Sequence, residues 1–447
     1  MAKLFGTDGI RGVANRQLTP EVAFKIGRIA AYILLQQSSG QRSFLVARDT
    51  RISGPMLEGA LIAGLTSAGV DVYVTGIIST PAVAYLTKQL RGCGGVMISA
   101  SHNAYPDNGI KFFSADGFKL SDEVEAEMEE LFFQTTDPCP RPEANAIGRV
   151  HMDNTAGERY LQYVLSSVAI NLEGFRIVLD CANGAAHRLA PKAFRALGAE
   201  VIAVYDSPDG ININDNCGST YPAALIAMVQ QHHAHVGFTF DGDADRVLAV
   251  DGNGQLIDGD VIMMILAKSL KEKGQLKQNT LVATVMSNLG LEKAAQVHGF
   301  ELLRTKVGDR YVLEQMVAGG FCLGGEQSGH VILLEHNTTG DGLLTALQVA
   351  SVMAEKKQSL AQLAASFTHY PQVLLNCLVN NRDGWEENPR IQEAIAQTEA
   401  KLSGIGRLLI RASGTEPLIR VMLEGPNEDQ LHIMAQEMAD LIKRELA

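Results

Sequence analysis

No two of the six cysteines stand in a C-x-x-C pair; Cys93, Cys139, Cys181, Cys217, Cys322 and Cys377 are scattered along the chain. That spacing speaks against a cysteine zinc site and suggests no disulfide framework. Long apolar runs are missing too. The N-terminal stretch has no h-region, and residues 261–267 are far too few to span a bilayer. Nor is there an excess of positive charge: 38 Lys and Arg against 50 Asp and Glu leave a net charge of -12. A nucleic-acid partner would want a basic face, so none is expected. An anionic substrate would need a locally basic site set against that field. What remains is ordinary globular composition, 46% hydrophobic and 20% charged, over 447 residues. At roughly 100–200 residues per domain, several domains are expected. The expectation is a reduced, soluble, cytoplasmic protein with no membrane partner.

Three segments repeat one pattern of apolar strand, helix-like stretch, glycine and second strand. The first begins at Phe44-Leu45-Val46-Ala47, the second at Ile177-Val178-Leu179-Asp180 and the third at Leu281-Val282-Ala283-Thr284. Gly69, Gly198 and Gly299 stand where a helix C-cap belongs. Strand-helix-strand units of this kind are right-handed and build mainly parallel sheets. The fold class is therefore α/β: three tandem α/β domains plus a C-terminal α+β domain, arranged around a central cleft. The proline-rich stretch Thr136-Asp137-Pro138-Cys139-Pro140-Arg141-Pro142 marks a linker and the first boundary. A hairpin turn at Asp251-Gly252-Asn253-Gly254 and the pair Tyr370-Pro371 mark two more boundaries. The expected domains are 1–150, 151–255, 256–369 and 370–447.

The stretch that organises the chain is GGVMISASHNAYPDNGIKFF, residues 94–113. A short apolar strand ends in Ser99-Ala100-Ser101-His102-Asn103, and a turn at Pro106-Asp107-Asn108-Gly109 leads into a second strand. Ser101 thus sits at a strand end on a loop held by sheet on both sides, the placement a nucleophile needs. An ordinary serine-rich turn is the plainer reading. A Ser-His hydrolase pair is not supported, because adjacent residues point to opposite faces of an extended chain. The G-x-S-x-G elbow is absent as well.

Four further constellations carry chemistry. Phe238-Thr239-Phe240 runs into Asp241-Gly242-Asp243-Ala244-Asp245-Arg246. Three carboxylates alternating with small residues suit an all-oxygen cation site, Mg²⁺ for phosphate work, and the EF-hand spacing is not met. Gly324-Gly325-Glu326-Gln327-Ser328-Gly329-His330 suits sugar hydroxyls, with Glu326 accepting and Ser328 donating or accepting. Arg411-Ala412-Ser413-Gly414-Thr415-Glu416-Pro417, with Arg420 beyond, fits an anion nest and lacks the ending of a Walker A loop. Gly6-Thr7-Asp8-Gly9-Ile10-Arg11-Gly12 packs glycines around Arg11, either a plain turn or an arginine beside a phosphate. One such element per domain could hold a phosphosugar at both ends.

GTDGIRG, SASHN, DGDADR, GGEQSGH and RASGTEP, in this order and spacing, resemble the α-D-phosphohexomutase family over the whole chain. One departure is Ala104 after S-H-N, where the family often has proline; here the proline follows at Pro106. The resemblance implies that Ser101 is carried as phosphoserine and completes one Mg²⁺ site with Asp241, Asp243 and Asp245. It implies phosphoryl donation to glucosamine 6-phosphate, a sugar 1,6-bisphosphate that serves as intermediate and activator, and release of the 1-phosphate for cell-wall precursors. Arg11, Lys111 and Arg246 would neutralise the transferring phosphate, with His102 and His330 counted among the catalytic residues. Glu326 and Ser328 would grip the sugar. Arg411, Ser413, Gly414, Thr415 and Arg420 would hold the phosphate not being transferred. A homodimer is compatible with the sequence without being dictated by it.

Three other readings compete. A phosphomannomutase or phosphoglucomutase on the same scaffold differs only in substrate. A metal-dependent sugar phosphatase would need neither the hydroxyl-reading loop nor a second anion site. A non-catalytic sugar-phosphate sensor would need neither Ser101 nor three aspartates.

Overall fold

Apolar runs flanked by small polar residues become the inner strands of the sheets, buried on both faces as parallel strands require. The computed structural model describes residues 4–6, 8–38, 40–381, 384–412 and 418–446. A first sheet holds β1 (Ile10–Val13), β2 (Ser43–Arg48), β3 (Asp71–Ile77), β4 (Gly94–Ile98), β5 (Asp107–Ser114) and β6 (Val150–Met152), in the order β1-β5-β4-β2-β3-β6. The central strands β4, β2, β3 and β6 run parallel, while β5 and β1 add an antiparallel edge. The first sheet thus reaches past residue 150 by way of β6.

The second sheet holds β7 (Arg176–Asp180), β8 (Glu200–Val204), β9 (Val236–Phe240), β10 (Val247–Asp251) and β11 (Leu256–Ile257), ordered β11-β10-β9-β7-β8. The third holds β12 (Thr280–Thr284), β13 (Glu301–Thr305), β14 (Leu323–Gly325) and β15 (Val331–Leu333), ordered β13-β12-β14-β15. In both, parallel pairs form the centre and an antiparallel hairpin closes one edge. The three glycines expected as helix stops all adopt positive φ: Gly69 at 82°, Gly198 at 92° and Gly299 at 70°. Asp258 caps the helix Gly259–Glu272 by accepting from the Val261 N–H.

The fourth sheet is antiparallel throughout: β16 (Gln372–Leu378), β17 (Arg407–Ala412) and β18 (Leu418–Glu424), with β18 in the middle. Helices Pro389–Leu402 and Glu428–Glu445 complete its core around Ile391, Ile419 and Ile442. The chain divides into two compact units, Met1–Met286 with Phe300–Ala365, and Ser287–Gly299 with Ser366–Ala447. The helix Leu289–His298, which links β12 to β13 in sequence, therefore groups with the C-terminal unit. All six cysteines are free and buried. Among the described residues, no helix is long and apolar enough to cross a membrane.

Candidate active site

Ligands of open α/β sheets gather at the carboxyl ends of the strands, and there the sequence places its polar loops. β4 ends in the loop that carries Ser101, and β9 ends in the loop that carries Asp241, Asp243 and Asp245. The two loops meet. Ser101 is buried and its Oγ donates to Asp241 Oδ2 at 2.5 Å. Its N–H donates to Ser99 Oγ, which in turn donates to Asp49 Oδ2 at 2.6 Å. Gly242 makes the approach possible, because a Cβ there would lie 2.6 Å from the Ser101 carbonyl oxygen.

The three aspartates are buried, and one carboxylate oxygen from each lies within 4.8 Å of the others. Burial first, then the charges of Asp245 and Asp243, push the Asp241 carboxyl well above the usual carboxylate range. Burial also pushes Asp245 upward, but Lys111, His330 and Arg246 outweigh it and hold this acid well below its ordinary value. Asp243 Oδ2 accepts from Thr80 Oγ1 at 2.6 Å and from Lys111 Nζ at 2.8 Å. Asp243 Oδ1 and Asp245 Oδ1 are buried with no hydrogen-bond donor among the described residues. Desolvated carboxylate oxygens left so are costly, and a hard divalent cation with oxygen ligands satisfies such a set. The donor set fits a metal.

Around the carboxylates runs a closed ring in which acids alternate with lysines and His330. Lys111, only 2% exposed, bridges Asp8 and Asp243 at 2.8 Å each and lies 3.7 Å from Asp245. Asp245 lies 3.6 Å from His330 Nδ1, and His330 Nε2 lies 3.4 Å from Asp309. Lys119 closes the ring, 2.6 Å from Asp309 and 2.5 Å from Asp8. Asp8 also holds Arg11 at 2.5 Å. Burial pushes His330 down, but Asp245 and Asp309 outweigh it and raise its pKa. The Gly340 N–H, donating to Nε2 at 3.0 Å, favours instead the neutral ring with its proton on Nδ1. His102 has its pKa lowered by burial, then by Arg246 and Arg11. Its Nδ1 lies 3.2 Å from the Arg246 guanidinium and 3.5 Å from Ser101 Oγ.

The structure thus brings together Ser101, His102, Lys111, Asp241, Asp243, Asp245, Arg246 and His330, with Arg11 joined through Asp8. Glu326, half-buried, accepts from the Gly308 N–H at 3.2 Å and interacts electrostatically with Arg246. Ser328, in the same loop, is exposed. In the C-terminal unit Arg411 and Arg420 stand directly opposite each other on β17 and β18. Burial and Arg420 together lower the Arg411 pKa. Ser413, Gly414 and Thr415 lie outside the described residues.

Sequence reasoning missed Asp8, Asp49, Arg51, Thr80, Lys119, Asn214 and Asp309. Two left a signal. Asp8 sits inside the glycine-rich motif around Arg11, and Asp49-Thr50-Arg51 puts opposite charges straight after the apolar strand β2, in a chain position where neither can reach water cheaply.

Comparison with known proteins agrees with this geometry. Models for phosphoglucomutase/phosphomannomutase match in four stretches: alpha/beta/alpha domain I over residues 2–138, domain II over 158–254, domain III over 258–370 and the C-terminal domain over 374–441. A phosphoglucosamine mutase of Geobacillus thermodenitrificans is 52% identical over 446 residues, covering 100% of this chain and 99% of that protein. One from Symbiobacterium thermophilum is 54% identical over 447 residues, covering 100% of both. The crystal structure of a phosphoglucomutase/phosphomannomutase family protein from Burkholderia thailandensis aligns with a TM-score of 0.82 at 25% identity, over 99% of this chain and 97% of that one. The N-acetylphosphoglucosamine mutase of Aspergillus fumigatus, solved in complex with GlcNAc-6P and magnesium, shares the fold at a TM-score of 0.69 and 18% identity, over 99% and 96% of the two chains. The likeness runs the full length of the bacterial relatives, and the chain belongs to the phosphoglucosamine mutase family, isomerases of the phosphoglucomutase/phosphomannomutase group.

Proposed function

We propose that this isomerase interconverts glucosamine 6-phosphate and glucosamine 1-phosphate, with Ser101 as its phosphoryl carrier. One observation carries the reading: a buried hydroxyl, 2.5 Å from the first of three converging carboxylates, on a chain similar end to end to phosphoglucosamine mutases. Asp241, Asp243 and Asp245 would hold Mg²⁺ together with the phosphate on Ser101. The ion supplies charge neutralisation at the phosphoryl group, the main demand of this chemistry.

In the first half-reaction the bond from Ser101 Oγ to phosphorus breaks and the bond from the sugar O1 to phosphorus forms, while the O1 proton passes to the protein. The product is the 1,6-bisphosphate. In the second, Ser101 Oγ takes the 6-phosphoryl group and the sugar O6 regains a proton, leaving the 1-phosphate. Lys111 and Arg246 balance charge on the moving group, and Arg11 is held ready through Asp8. Glu326 and Ser328 read the sugar, with His102 and His330 close to the reacting atoms. Arg411, Ser413, Gly414, Thr415 and Arg420 read the phosphate that stays in place. Six free thiols suit the reducing cytoplasm to which we assign the protein.

The test follows glucosamine 6-phosphate by ³¹P NMR with Mg²⁺ and a trace of 1,6-bisphosphate, beside mannose 6-phosphate and glucose 6-phosphate. Preferential conversion of the amino sugar to its 1-phosphate is expected. Preference for a neutral hexose would overturn the substrate, and inorganic phosphate from all three would overturn the mutase.

A further inference from the structure

Ser101 holds a left-handed backbone conformation, with φ at 52°. For a residue with a side chain this costs roughly 1–2 kcal/mol and persists only where the surroundings impose it. Two side chains grip the backbone around it. Arg51 is fully buried and paired with Asp49 at 2.8 Å. Its guanidinium donates to the Ser101 carbonyl at 2.9 Å and to Asn103 O at 2.8 Å, and also to Ala104 O at 2.6 Å and Asp107 O at 3.0 Å. Asn214, from the loop after β8, reaches the same two carbonyls. Its Nδ2 donates to Ser101 O at 2.9 Å and to Asn103 O at 3.0 Å.

A carbonyl oxygen has two lone pairs, and an amide nitrogen has two hydrogens. The Ser101 and Asn103 carbonyls are therefore each saturated by one donor from either side, one from the first sheet's strand end and one from the second sheet's loop. Neither side chain touches Ser101 Oγ in this arrangement. Both act on the backbone that aims it.

We propose that Arg51 and Asn214 are positioning residues that lock Ser101 in its left-handed conformation, keeping Oγ directed at Asp241 before every phosphoryl transfer. Loss of either grip would let the backbone relax and turn the hydroxyl away from the carboxylate loop. A misplacement of about 1 Å at the reacting atom is enough to slow transfer steeply, and sugar binding would stay untouched. The inference rests on Ser101 being the phosphoryl carrier.

Asn214 itself has φ at 57°, so Asn214→Gly removes the amide while keeping the backbone shape at no steric cost. Arg51→Lys keeps the buried charge and loses the fork that serves four carbonyls. Each variant is loaded with 1,6-bisphosphate, and intact mass gives the fraction phosphorylated. A quenched single turnover with glucosamine 6-phosphate then gives the transfer rate per phosphorylated chain. Expected is a fall of about tenfold or more in that rate for Asn214→Gly, and a larger one for Arg51→Lys, with KM within about twofold of the parent. A rate per phosphorylated chain equal to the parent's, whatever happens to melting temperature, would overturn the proposal by leaving these residues a merely structural role. So would a loss confined to KM. A parent chain that takes no phosphate on Ser101 would instead defeat the reading beneath it.

Discussion

At Ser101 the protein crowds acids together, and on the C-terminal sheet it sets bases face to face. Asp241, Asp243 and Asp245 are buried within one cluster, and the cations around them are themselves committed to a ring of partners. Arg411 and Arg420 are only half-buried and stand as a like-charged cross-strand pair, an arrangement that is unfavourable taken alone. Within each group the like charges repel one another. The donor set of the first fits a cation; for the second we propose an anion. They differ in burial: the acid cluster is packed away from solvent, whereas the arginine pair keeps contact with water.

The comparison breaks most completely at Ser101→Ala. Turnover should fall by ~10⁴-fold or more with the fold retained, as the covalent route disappears; ³¹P NMR of the sugar phosphates and circular dichroism check the two halves. Asp243→Asn should cost ~10²- to 10³-fold in kcat, since it weakens the cation site and removes one of the carboxylates that hold Lys111. Chelation should silence the parent protein in the same way, and added Mg²⁺ should restore the parent but not the variant. Arg411→Ala should act on the other region and differently, raising KM for the sugar phosphate about tenfold with a smaller change in kcat. Initial rates over a substrate series separate the two parameters.

A smaller effect sharpens the point about buried acids. Burial pushes Asp180 up to about 6, against the hydrogen bonds from the Ala182 and Gly218 N–H groups. Between about pH 4 and pH 6 the folded chain then holds a proton that the unfolded chain has lost. Stability from this group is present at low pH and is lost as pH rises through 6. Asp180→Asn should flatten the stability difference between pH 4.5 and pH 7 by about 2 kcal/mol, read from denaturant unfolding at both pH values.

What the sequence disclosed was local. Ser101, the three aspartates and the glycine stops announce themselves through neighbours a few residues away, because strand ends and turns are short-range events. The groups that went unseen act across the chain. Arg51 grips carbonyls about fifty residues on, Asn214 reaches back from the second sheet, and Lys119 finds Asp309 in the third. Nothing in local spacing encodes such pairings. They exist because separate strands deliver their carboxyl ends to one place, and only the packed fold defines that place.

The most direct test of the central claim labels Ser101 with ³²P from a labelled 1,6-bisphosphate, removes the excess, and adds glucosamine 6-phosphate with Mg²⁺. The account predicts that label leaves the protein as sugar bisphosphate and then monophosphate, with little free phosphate. Label released as inorganic phosphate, or label that never resides on Ser101, would contradict it.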